Sequence, residues 1–164
     1  MHDQELQILK TAVINEMEGE HFYRLTAASS KDEGVRQAFL FLADEESKHQ
    51  GWLRAMASQL TTADSTVPGP HDVELTTPQH GIFDRFKPGP ETGSLAVSAF
   101  HIGILLEKAA VDYYREAARQ TTHAATRQLY EKLVEWELRH LEAFEKVYDD
   151  LKEEWWQQQG FSPS

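Results

Sequence analysis

Apolar positions between residues 35 and 56 recur at spacings of three and four. Val35, Ala38, Phe39, Leu42, Leu53 and Met56 make one stripe of a helix facing a core. Glu46 and His49 interrupt that stripe. They stand three apart and therefore project from the same helix face. Residues 4 to 28 form a first helix, with Leu6, Leu9, Val13, Glu16, Tyr23 and Ala27 near one face and Gly19 where a neighbouring helix can approach. Ser29-Ser30-Lys31-Asp32 is a turn, and Ser30 with Glu33 makes a capping box for the second helix, which runs to about Leu60. Ser94 starts a third helix reaching about Arg119, and Thr121-Thr122-His123 is a short turn. A fourth helix runs to about Gln159, before Gly160 and Pro163.

Residues 61 to 94 change character, with Pro68, Pro70, Pro78, Pro88, Pro90, several glycines and many threonines. They read as a long connection with a short turn around Ile82-Phe83-Asp84-Arg85-Phe86. A connection of this length in a compact domain needs a reason in the fold. An internal repeat supplies it. Shifting residues 16 to 49 by 91 lays them on residues 107 to 140 without a gap. Glu16, Tyr23, Arg24, Ala27, Arg36, Gln37, Leu42, Glu46 and His49 meet Glu107, Tyr114, Arg115, Ala118, Arg127, Gln128, Leu133, Glu137 and His140. Those are nine identities in 34 positions, where about two follow from average residue usage. The chain is one helical hairpin written twice, at about 4–60 and 95–159.

A single Glu-x-x-His arises by chance in a Glu-rich chain with 8 histidines. Two copies at equivalent places do not. The first turn centres on residue 31, midway between Glu16 and Glu46, so both stand at one height in an antiparallel hairpin; Glu107 and Glu137 do the same about residue 122. Packing the hairpins about a near-twofold axis brings all four glutamates, His49 and His140 to one layer. The second and third helices then run parallel, and their connection must travel the bundle's length. A helix of about 28 residues spans roughly 42 Å, which the 34-residue connection covers with slack.

Composition narrows the chemistry. Helix formers dominate 164 residues, enough for one domain that buries roughly two-thirds of its unfolded surface. A net charge of −11 argues against nucleic acid or an anionic membrane as a partner. There is no cysteine, which excludes disulfides, thiolate nucleophiles and cysteine-ligated iron. The start of the chain does not read as a signal peptide, and the apolar run from Ile102 to Leu106 is too short to span a bilayer. A cytoplasmic protein is the expectation.

Four carboxylates and two imidazoles converging in an apolar bundle repel and stay partly protonated unless cations neutralise them. Two divalent ions suffice. The mixed oxygen and imidazole set suits iron or manganese, with zinc able to substitute, and four-helix carboxylate proteins hold two metals with such sets. The chain resembles the ferritin-like superfamily, and most closely the four-helix domain of rubrerythrin. The carrying residues are Glu16-x-x-Gly19-x-x-Phe22-Tyr23, Glu46-x-x-His49, Glu107-x-x-Ala110-x-x-Tyr113-Tyr114 and Glu137-x-x-His140. The resemblance implies an all-α antiparallel four-helix bundle over residues 1–164 and two metal ions. Glu16 and Glu107 would be terminal ligands, Glu46 and Glu137 bridges, and His49 and His140 one ligand per metal. It also implies an oxidoreductase that reduces peroxide or oxygen under oxidative stress, or oxidises Fe(II). The alternative is a non-enzymatic metal-binding or storage module. Rubrerythrins carry a further glutamate where this chain has Ala110, and they usually append a cysteine-ligated domain as electron donor, which is missing here. Electrons would come from a separate protein, and a homodimer is the expected assembly. A metal-free scaffold that binds another protein fits least, because it leaves the buried acids unexplained.

Other residues read more plainly. Glu20 lies about 40° round from Glu16 and faces solvent, with a place beside the metal ligands as the lesser reading, and Glu45 is exposed. Tyr23 and Tyr114 are core aromatics that need one hydrogen-bond partner each, with a redox role or one beside the metal as the lesser reading. Arg24 and Arg115 are surface or ion-pair residues, and His21 and His101 are structural. Trp155 and Trp156 serve a dimer contact or helix-end packing.

Overall fold

The computed structural model describes residues 2–62 and 94–158, and four helices account for nearly all of them. They are α1 (His2–Ser29), α2 (Glu33–Thr62), α3 (Ser94–Gln120) and α4 (Ala124–Gln158). All four expected helices are present, with ends within about two residues of the sequence reading. The turn expected at residues 82–86 lies outside the described residues.

The start of α2 differs in detail from expectation. Asp32, rather than Ser30, caps it: Asp32 Oδ1 accepts from the Val35 backbone N–H at 2.8 Å, and Ser30 Oγ donates to the Asp32 carbonyl at 3.1 Å. Asp32 immediately precedes the first helical residue, so its carboxylate reaches the third helical N–H, and Ser30 is one turn position too early.

Each hairpin packs along its length, α1 on α2 and α3 on α4. The hairpins then meet through α1 against α3 and α2 against α4. Both cross-hairpin contacts are antiparallel. Ile8 of α1 meets Tyr113 of α3, whereas Tyr23 meets Glu107. Between α2 and α4, Trp52 lies against Trp136, His49 against His140 and Phe39 against Phe144. So α2 and α3 are parallel, and Thr62 and Ser94 stand at opposite ends of the bundle, as the repeat requires.

Two apolar clusters fill the interior. One holds Tyr23, Val35, Phe39, Leu42, Phe100, Ile104, Phe144 and Val147, and the other Leu9, Trp52, Leu53, Met56, Leu129, Tyr130 and Leu133. Each fully buried large side chain contributes about 1.5–3 kcal/mol, and these layers offset the burial of the ionisable groups between them.

Gly103 lets the Phe144 ring of α4 pack directly on the α3 backbone. A Cβ there would lie 2.6 Å from Phe144 Cε1. That ring is fully buried and packed against Tyr23, Phe39 and Phe100, so it has nowhere to move. Gly103→Ala should therefore destabilise the protein by about 1–3 kcal/mol through overpacking. Gly51 is the contrast: it is exposed, with nothing within 4 Å of an added Cβ. There Gly→Ala should stabilise α2 by up to about 1 kcal/mol. Thermal unfolding of both variants checks this; equal shifts of one sign would contradict the packing assigned to Gly103.

Candidate metal centre

The periodicity that makes α2 and α4 core-facing also buries their glutamates and histidines. Glu16, Glu46, His49, Glu107, Glu137 and His140 are all buried, both histidines fully. They form two groups. Glu16, Glu46, His49 and Glu137 each bring a ligand-type atom within 4.8 Å of the others, and so do Glu46, Glu107, Glu137 and His140. All six residues singled out in the sequence come together, one set of three per hairpin, and Glu46 and Glu137 belong to both groups.

The imidazoles anchor the layer. His49 Nδ1 lies 3.0 Å from Glu137 Oε1, 3.2 Å from Glu16 Oε2 and 3.5 Å from Glu46 Oε2. His140 Nδ1 lies 3.2 Å from Glu137 Oε2, 3.6 Å from Glu107 Oε2 and 3.7 Å from Glu46 Oε1. The two rings stack, their centroids 5.9 Å apart. Trp52 and Trp136 close one side, at 5.3 and 5.6 Å from the His49 ring.

Electrostatics pull the glutamates of the layer's centre apart from one another, Glu46 and Glu107 one way and Glu137 the other. Burial raises Glu46 well above the ordinary carboxylate range, and the Glu137 and Glu16 carboxylates raise it further. Burial and then Glu137 push Glu107 up to about 8. Burial alone would lower the imidazoles, but the carboxylates around them win. His49 is raised well above its usual value, chiefly by Glu137, and His140 to about 9, chiefly by Glu107. Glu137 moves the other way: burial favours its neutral form, yet His49 and His140 hold it well below the usual range.

Even so, protons do not satisfy the layer. Both Glu137 oxygens, both His140 nitrogens and His49 Nε2 are buried without a hydrogen-bond partner among the described residues. Orphaned buried polar atoms of this kind are uncommon in proteins. Three carboxylates and one imidazole per group are the donor types of an iron, manganese or zinc site, so these residues fit a metal ion.

Two contacts go beyond the sequence reading. The Tyr23 hydroxyl of α1 donates to Glu107 Oε1 of α3, and the Tyr114 hydroxyl of α3 donates to Glu16 Oε1 of α1. Both tyrosines are core aromatics with one partner, as expected. That partner is a glutamate of the opposite hairpin, so each ring straps one repeat to the other. Burial raises both phenols, and Glu107 and Glu16 respectively raise them further, so they remain protonated donors.

Glu45 corrects an expectation. It is buried at 2% exposure and accepts from Lys48, rather than facing solvent. It follows Leu42 by three and precedes His49 by four, so the buried arc of α2 is wider than the stripe counted from apolar residues. Glu20 is a half-buried hub outside both groups. It accepts from Gln50 Nε2 at 2.7 Å and from Arg24 Nε at 2.9 Å, and Arg24 also reaches Asp44. Its partners lower its carboxyl against the opposing effect of burial. His21 and His101 are exposed.

A family model for rubrerythrin matches residues 7–148. The chain belongs to the rubrerythrin family. A hypothetical protein from Pyrococcus furiosus has a similar solved structure, with a TM-score of 0.67 and 21% identity over 88% of each chain. That likeness shows the shared fold. No curated protein sequence matches.

Chelator treatment should leave the layer to its own pH dependence. Glu107 rises from 4.5 to about 8 on folding, His140 from 6.5 to about 9, and Glu46 and His49 move the same way. Groups raised on folding stabilise below their unfolded values and lose that contribution as pH climbs through the folded ones. Glu137, which is depressed, acts oppositely, but only at acid pH. The melting temperature of chelator-treated protein should therefore fall between about pH 6.5 and pH 9. Saturating Mn(II) or Zn(II) should flatten the fall. A melting temperature that rises across this interval in stripped protein would refute the assignment.

Proposed function

We propose that this chain binds two metal ions, iron in both positions, and uses them to reduce peroxide or oxygen or to oxidise Fe(II). The observation that carries this reading is the pair of donor groups sharing Glu46 and Glu137. Glu46 and Glu137 would serve both ions as bridges, Glu16 and Glu107 would each hold one as terminal ligands, and His49 and His140 would give one imidazole to each ion. Bound iron supplies electron transfer and Lewis acidity. The chain's own part is to hold, orient and dry the site. The aromatic and aliphatic layers on either side exclude water. Tyr23 and Tyr114 fix the orientation of Glu107 and Glu16 by hydrogen bonds. Protons held on Glu46, Glu107 and the histidines must leave as cations enter, so uptake releases protons and weakens at low pH.

A partner protein supplies the electrons, because the sequence has no cysteine for a built-in iron–sulfur donor. A homodimer is supported by exposed apolar side chains on the adjacent helices α1 and α3: Ile14, Met17 and Leu25 on one, Ile102 and Leu105 on the other. No described helix is long and apolar enough to cross a membrane, and we take the cytoplasm as the place of action.

Two specific features favour a second reading, a metal-binding or storage module without turnover. Ala110 is a non-ligand where the family places a further glutamate, and the net charge of −11 attracts cations. Anaerobic iron loading followed by rapid mixing with peroxide separates the two. The enzyme reading expects one fast stoichiometric oxidation, negligible cycling with NAD(P)H and peroxide alone, and cycling when a rubredoxin-type or flavin-dependent reductase is added. Indifference to both peroxide and oxygen would leave the storage reading.

Metal counting tests the ligand roles directly. Glu46→Ala and Glu137→Ala should each lose both ions, since a bridge serves two. Glu16→Ala and Glu107→Ala should each keep at least one. Equal losses in all four variants would show that the roles are misassigned.

A further inference from the structure

The two repeats share their glutamates and histidines but differ in the rings behind them. Shifting by 91 pairs Phe22 with Tyr113, Tyr23 with Tyr114 and Phe39 with Tyr130. The ring geometry is kept. Tyr23 lies 5.6 Å from Phe22 and 5.9 Å from Phe39, centroid to centroid; Tyr114 lies 5.6 Å from Tyr113 and 6.1 Å from Tyr130. What changes is chemistry: two phenylalanines on one side, two phenols on the other.

The extra phenol at Tyr130 is provided for. Its ring is fully buried and stacks on Tyr114 at 27° between planes. Its hydroxyl donates to Glu5 Oε1 at 3.1 Å, and Thr121 Oγ1 donates to Glu5 Oε2 at 2.7 Å. Glu5 is itself buried, at 8% exposure, and the position matching it in the second repeat is Ala96. A carboxylate therefore accompanies the buried tyrosine and is missing where the ring is phenylalanine. Tyr113, half-buried, donates to the Ile8 carbonyl at 2.7 Å and completes a group of three phenols on the Glu16 side.

We propose that Tyr114 and Tyr130 form a one-electron relay, with Tyr130, held on Glu5, as its terminal redox site. It rests on the redox reading above only for the origin of the oxidant, which by class is any one-electron oxidant acting at the buried layer. Tyr130 gives one electron to that oxidant across the stacked Tyr114 ring; the Tyr130 O–H bond breaks and its proton passes to Glu5 Oε1. The net change is one electron delivered to the oxidant and one proton moved from Tyr130 to Glu5. An external one-electron reductant restores Tyr130, and the proton returns. Tyr130 has a carboxylate in hydrogen-bond contact, so its electron leaves with a proton and no charged phenol forms in the core. On the other side Tyr23 faces Phe22 and Phe39, and a phenylalanine ring has no hydroxyl to give up a proton. The relay therefore runs one way, towards the end of the bundle where α1 begins.

The test uses the full chain stripped of metal and oxidised by a photogenerated one-electron oxidant, so it reads the tyrosines whether or not iron chemistry takes place. Wild-type protein should give a long-lived phenoxyl signal by electron paramagnetic resonance. Tyr130→Phe should lose it, and the fold should tolerate that change because Phe39 occupies the matching place; a thermal melt confirms folding. Glu5→Gln keeps an acceptor oxygen but takes up a proton poorly, and should shorten the signal's lifetime. Tyr148→Phe, outside the group, should leave it unchanged. A wild-type chain without the signal, or a Tyr130→Phe signal as long-lived as wild type, would overturn the relay. An unchanged lifetime in Glu5→Gln would overturn the proton's destination. Failure of the iron-loaded protein to react with peroxide would sink the redox reading and leave this measurement standing.

Discussion

Six ionisable groups packed into one dry layer are the constraint on which this bundle depends. Coulomb energies at separations of 3 to 4 Å are large in a low-dielectric interior, so the layer tolerates few charge states. The metal-free protein solves the problem with protons. Glu46 and Glu107 are biased towards their neutral forms, and Glu137 stays ionised between two imidazoliums. That solution leaves Glu137, His140 and one His49 nitrogen without directed hydrogen bonds. Divalent cations at the layer would satisfy the same atoms directly. The apolar layers above and below can be ordinary hydrophobic core because the polar problem is confined to one plane.

Confinement to one plane also explains how two hairpins become one bundle. Each hairpin places its carboxylates at equal height by chain symmetry, but nothing within a hairpin fixes its rotation against the other. The crossed Tyr–Glu hydrogen bonds do so. Tyr23 reaches Glu107 and Tyr114 reaches Glu16, so a slip of α1 past α3 by one turn would break both contacts and leave buried acceptors unpaired. The tyrosines therefore fix the helix register and orient Glu107 and Glu16 together.

Much of this was legible in the sequence because repetition filters chance. Either Glu-x-x-His alone is weak, whereas two at a constant shift, each with a glutamate mirrored about its turn, determine both topology and layer. The repeat sets Glu45 against Trp136, a mismatch that from sequence alone suggests exposure. Both positions are in fact buried, and the two hairpins fill them differently. The cap at Asp32 was missed because a capping-box pattern two residues upstream matched equally well, and only backbone geometry distinguishes them. The crossed tyrosine partners lie 84 and 98 residues from their glutamates. Periodicity within one helix carries no information about such pairings, although the helix order implied by the repeat brings them into range.

A symmetric donor set poses a last physical question: what makes the two groups inequivalent? Ligand identity does not, since each group offers three carboxylates and one imidazole. Differences must come from neighbours. On the Glu16 side stand Gly19, where an added Cβ would lie 3.7 Å from the Glu46 side chain, and the phenols behind Tyr114. On the Glu107 side stand Ala110 and phenylalanines. Trp52 packs on His49, whereas Trp136 contacts both histidines. The duplicated hairpin thus conserves the charges that folding requires and varies the uncharged rings around them. Changing a ring there costs a methyl-sized adjustment or one hydroxyl, whereas changing a ligand would leave a charge unpaired in the core. Specialisation of the two half-sites is therefore cheapest in the aromatic shell, where this sequence has placed it.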